Sequence, residues 1–142
     1  TGLRVVFKEQ PSSREAYPDL HARTHASLLF ANGNSTQELI QSNQFVITLN
    51  STVGLESVLL NKPVLTLGQA FFNIPGLVAH ADSAAELLER ARAFPHWSLD
   101  PLVRENFLRY MAGEYCVKGG WLNADREQLQ RVAQRMLKAG SE

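Results

Sequence analysis

The run Phe45-Val46-Ile47-Thr48-Leu49 does most to limit what this chain can fold into. It is nearly all apolar and has the length of a strand, so it reads as a parallel strand covered on both faces. It leads without a break into Asn50-Ser51-Thr52, small polar residues that open helices. A helix from Ser51 to Leu60 follows, with Leu55, Val58 and Leu59 turned to the core, and Asn61-Lys62-Pro63 ends it. Val64-Leu65-Thr66-Leu67 is then a second buried strand, stopped by Gly68. Strand, helix and strand at this spacing require a parallel pair joined by a right-handed crossover.

The rest of the chain extends the pattern. Leu3-Arg4-Val5-Val6-Phe7 and Ser27-Leu28-Leu29-Phe30-Ala31 are β-rich runs, with a short helix between Ser13 and Thr24 that Pro18 interrupts. Ser35-Thr36-Gln37-Glu38 and Ser83-Ala84-Ala85-Glu86 each spell a capping box, a serine with a glutamate three residues on, and predict helices to Ser42 and Ala93. Gln69 to Gly76 is a loop carrying Phe71 and Phe72. After Pro95, Asp100–Tyr115 and Asp125–Lys138 read as helices separated by Lys118-Gly119-Gly120, and no strand is expected beyond about residue 80. The expectation is one α/β, Rossmann-like three-layer domain: a mainly parallel sheet over residues 1–94 and a C-terminal helical tail over 95–142.

Composition excludes several functions. Fourteen basic and fourteen acidic residues leave no net charge, hence no overall field to draw in nucleic acid, and anion binding has to come from a local site. The single cysteine, Cys116, forbids an internal disulfide and reads as structural. No apolar run approaches the ~18 residues of a spanning helix. His21, His25, His80 and His96 lack metal-binding spacing, so no metal is expected. The chain starts without methionine and enters a strand at once, which suggests a piece of a longer protein.

Ligands on parallel sheets bind beyond the carboxyl ends of the strands. That rule selects three loops: Lys8 to Ser13, Asn50 to Thr52 and Gly68 to Gly76. At the second, helix N–H groups and hydroxyls favour an anion, and Glu56 shares a helix face with Thr52, where a carboxylate suits a pair of ribose hydroxyls. Simple capping by Asn50 or Ser51 remains an equal reading. At the first, Lys8 reads either as a point charge for phosphate or as an ordinary strand exit. At the third, Phe71 and Phe72 read either as a stacking surface for a base or sugar or as a docking patch.

Ile47 to Glu56, followed by Leu59-Leu60-Asn61-Lys62-Pro63-Val64-Leu65-Thr66-Leu67-Gly68, resembles the capsule polysaccharide biosynthesis family, bacterial proteins related to the Kdo transferases. Lys8-Glu9-Gln10-Pro11 falls where that family carries Lys-Glu-His-Pro, and the resemblance covers residues 3 to 80. It implies one half of a GT-B glycosyltransferase, the half that holds a donor nucleotide sugar such as CMP-Kdo, with no other cofactor. Lys8, Gln10 and Pro11 would lie near the donor phosphate, Asn50, Ser51 and Thr52 at the phosphate-binding helix start, Glu56 on the ribose, and Gln69 on the adjoining loop. The catalytic base and the glycolipid or polysaccharide acceptor would belong to a second domain, at the cytoplasmic face of the inner membrane, with peripheral membrane association. The resemblance departs at Gln10, because glutamine donates a hydrogen bond but carries no charge. A UDP-sugar transferase or epimerase half, and a non-catalytic α/β interaction module, are the alternatives.

Overall fold

A computed structural model describes residues 3–10 and 17–140. It divides into two compact units, Thr1–Ser98 and Leu99–Glu142.

The first unit alternates strands and helices: β1 (Val5–Phe7), α1 (Pro18–His21), β2 (Leu28–Phe30), α2 (Thr36–Ser42), β3 (Val46–Thr48), α3 (Thr52–Leu59), β4 (Val64–Thr66), β5 (Ala79–His80) and α4 (Ala84–Ala93). Every strand pairing is parallel. β1 pairs with β2, and β3, β4 and β5 lie side by side in that order. The chain is therefore Rossmann-like α/β.

Register sets the layers. Thr48 pairs with Thr66, and that face meets α3, since a Cβ built on Gly54 would come within 3.2 Å of the Thr48 methyl. Ile47, Leu65 and Ala79 share the opposite face. There Leu65, Ala79, Ala81 and Phe94 form a core cluster backed by Phe45, Leu67, Leu87 and Trp97. Helix α3 lies on one side of the ladder and α4 on the other. Val64, Leu65 and Thr66 are all fully buried, so β4 is the strand covered on both faces. Each fully buried valine or leucine contributes about 1.5–3 kcal/mol.

Several expectations are corrected. β3 is an edge strand of its ladder, and Ile47 and Leu49 are 43% and 65% exposed, so the full covering expected of that run belongs to β4. In α3 the buried residues are Gly54, Ser57 and Val58, while Leu59 is exposed. Gly54 faces the sheet where the Phe72 ring and the Thr48 methyl leave no room for a side chain, and the buried Ser57 donates its hydroxyl to Val53 O at 2.7 Å. Pro18 opens α1 rather than interrupting it, its missing N–H costing nothing at the first helical position. The residues before it in the expected helix, 13–16, lie outside the described residues. β5 had no counterpart in the sequence reading. The Ser35 box is complete, whereas Ser83 keeps only half: its hydroxyl accepts from Glu86 N, but the Glu86 carboxylate accepts from Asp82 N.

The second unit contains α5 (Pro101–Tyr110), which continues into a π-helical turn (Met111–Tyr115), a 3₁₀ turn (Trp121–Asn123) and α6 (Arg126–Ala139). Asp100 caps α5 by accepting from Leu102 N and Val103 N, and Asp125 caps α6 by accepting from Gln128 N. Among the described residues no helix is long and apolar enough to cross a membrane.

Candidate functional site

The turn from β3 into α3 is built by Ser51. Its backbone is extended, and its hydroxyl accepts from Val53 N at 3.3 Å. Its carbonyl accepts from Gly54 N at 2.9 Å. The capping reading is therefore true of Ser51, and it leaves the hydroxyl's own proton available to a ligand. Thr52 and Glu56 are both exposed, one turn apart on the face away from Gly54 and the sheet. Asn50 is exposed beside them.

The loop after β4 starts flush against this turn. Gly68 N donates to Leu49 O at 2.9 Å, and a Cβ at Gly68 would meet that oxygen at 3.2 Å. The exposed Gln69 follows immediately. The adjacent phenylalanines then part company. Phe72 is 1% exposed and packs its ring on Gly54, so it is not available to stack on a ligand. Phe71 stands edge-on to it and is 56% exposed.

Beneath the loop lies a polar network. The buried Thr66 hydroxyl, at the end of β4, is 2.8 Å from Asn73 Oδ1 and 3.0 Å from His80 Nδ1. Asn73 Nδ2 donates to Gly68 O at 3.0 Å. His80 Nε2 faces Asp82 Oδ1 at 2.8 Å. These groups fasten the loop's middle, at Asn73, back to its first residue and to the ends of β4 and β5.

The end of β1 is tied to the end of β2. The Lys8 ammonium donates to Asn32 O at 3.1 Å and to Asn34 O at 2.7 Å, which uses two of its three N–H groups. Glu9 N donates to Asn32 Oδ1, and Glu9 Oε1 lies 2.9 Å from His21 Nε2. The His21 ring stacks on Phe30 with centroids 4.1 Å apart. Gln10 is exposed at the rim. Pro11 lies outside the described residues. Among the described residues no cluster of His, Cys, Asp or Glu could hold a metal ion.

Comparison with known proteins gives this arrangement a family. The model for "capsule polysaccharide biosynthesis protein" matches residues 6–115. The chain belongs to that family. It is also 42% identical, over 128 residues, to Protein FixF of Sinorhizobium fredii (strain NBRC 101917 / NGR234), an alignment covering 89% of this chain and 31% of the relative. The chain thus spans about a third of that relative's length. No solved structure matches.

Within this family member the candidate residues fall into two groups, each at the carboxyl end of a parallel ladder. Lys8 and Gln10 follow β1, while Asn50, Ser51, Thr52 and Glu56 follow β3, with Gln69 on the next loop. Sequence reading missed Thr66, Asn73, His80 and Asp82. A signal was present, since Thr66 interrupts an otherwise apolar strand and His80 stands between apolar Ala79 and Ala81.

Proposed function

We propose that this chain is the donor nucleotide-sugar-binding part of a capsule polysaccharide glycosyltransferase of the GT-B kind, taking a CMP-activated acidic sugar of the Kdo type. The observation that carries the reading is the β3–α3 turn in a member of this family. Ser51 caps a helix that starts at a strand end, and Glu56 stands one turn on along the same exposed face as Thr52. The hydroxyls of Ser51 and Thr52 and the helix start suit a phosphate, and the Glu56 carboxylate suits ribose hydroxyls. Asn50 and Gln69 border this position. Lys8, Gln10 and Pro11 would approach the phosphate from the β1 end, Lys8 with the N–H that its two carbonyl partners leave over. The acceptor, a glycolipid or polysaccharide, and the catalytic base belong on this reading to the remainder of the protein, working at the cytoplasmic face of the inner membrane.

The test is an NMR titration of this chain with CMP and, in parallel, with UDP. Amide shifts at Ser51, Thr52 and Glu56 with CMP, at concentrations where UDP gives none, are expected. Shifts with UDP alone would move the reading to a UDP-sugar enzyme. Silence at all these positions with millimolar CMP would refute nucleotide binding by this chain.

A further inference from the structure

We propose that the second unit carries an anion site of its own, for a ligand bearing a multiply charged phosphate group such as a diphosphate. A cavity of about 610 Å³ opens between the π-helical turn with the residues after it and one side of α6. Four cationic side chains line it: Lys118 from the loop and Arg131, Arg135 and Lys138 from the helix. None of the described residues lining it is acidic.

The clustering is built into the helix. Arg131 lies three and four residues before Gln134 and Arg135, and Lys138 lies four and three after them, the spacing that places residues on one side of an α-helix, and all four line the cavity. Lys118 adds charge from the loop, and Ala112, Gly113 and Val117 bring none to the lining. The protein as a whole has no net charge, so this concentration of positive charge is local. Arg131 is held by Glu127 at 2.7 Å, an exposed i,i+4 pair that offsets one charge weakly and orients the guanidinium.

The ligand class follows from the donors. Guanidinium forks match phosphate oxygens two at a time, and lysines act as point charges. A single carboxylate can engage one guanidinium fork, whereas a diphosphate or a phosphodiester surface offers oxygens to both arginines and to Lys118 at once. The cavity also has the size of a small-molecule site rather than of a lone ion. This site shares no residue with the β3–α3 turn and does not depend on the function proposed for it.

Inorganic pyrophosphate is the probe, titrated calorimetrically into this chain at low ionic strength. Saturable binding is expected. Arg135→Gln with Lys138→Gln should weaken it roughly tenfold or more, the scale of lost charge-assisted hydrogen bonds. Gln134→Arg should tighten it, and Arg92→Gln, at an exposed position of α4, should leave it unchanged. Cosedimentation with vesicles of phosphatidylglycerol and phosphatidylcholine, against phosphatidylcholine alone, identifies the phosphate's source. Binding to the anionic vesicles that pyrophosphate displaces marks a lipid headgroup, whereas pyrophosphate binding without vesicle binding marks a soluble phosphate ester. No saturable binding, equal binding by the doubly substituted protein, or a Gln134→Arg affinity no higher than the parent's would each overturn the proposal.

Discussion

The ring of Phe72 occupies the space a side chain at residue 54 would need. A Cβ on Gly54 would come within 2.8 Å of two carbons of this buried ring. One glycine thus lets α3 and the loop after β4 close on each other, next to the turn that forms the candidate phosphate site.

Gly54→Ala should therefore destabilise the protein although alanine is the better helix former. The propensity gain is about 1 kcal/mol, while overpacking costs about 1–3 kcal/mol. Urea denaturation should show a lower midpoint, and adding Phe72→Leu should restore part of it. A midpoint raised by Gly54→Ala alone would contradict the packing described.

Ser51 allows capping to be separated from binding. Ser51→Ala removes the acceptor for Val53 N and should cost about 1 kcal/mol. Ser51→Asp keeps an acceptor and suits the helix start, so stability should be retained, yet its negative charge should repel a phosphate. Thermal melting and CMP titration of the two variants read the two effects independently. CMP binding unchanged in Ser51→Asp would remove Ser51 from the site.

Thr66 holds the network under the loop. Thr66→Val keeps the shape but takes the hydroxyl from Asn73 Oδ1 and His80 Nδ1. Leaving such groups short of a partner costs about 1–3 kcal/mol. Hydrogen exchange should quicken at loop residues 68–76 in particular. Uniform exchange across the first unit would show that the network does not fasten the loop.

Lys62 has a purely structural assignment. Its ammonium donates to Gln41 O at 3.2 Å and also to Asn43 O, at the carboxyl end of α2. A cation there complements the helix dipole, and Lys62→Met should lower stability by about 1 kcal/mol. CMP affinity should stay as it is, and a large loss of affinity would point to a part for Lys62 in the site.

The segment from β3 to β4 was legible because its punctuation is local. Ser51, Asn61 and Pro63 mark the helix ends within a few residues of the positions they control. The edge position of β3 was not legible, since an apolar run does not record which of its neighbours is missing. The partners of Lys8 lie on the turn after β2, and His80 reaches Thr66 only because β5 lies beside β4. Such contacts belong to the sheet order and leave no mark in any short window of sequence. Phe71 and Phe72 read alike as a pair, and only the approach of Gly54 decides which one is buried.

The order of the strands bears on how the protein is made. The strand pairs of the first unit, β1 with β2, β3 with β4 and β4 with β5, all join consecutive strands, through partners within about 25 positions of each other. No pairing has to wait for a distant segment. As the chain leaves the ribosome amino end first, β3 can be joined by β4 and then by β5, and the turn at Ser51 takes shape before the second unit has been synthesised.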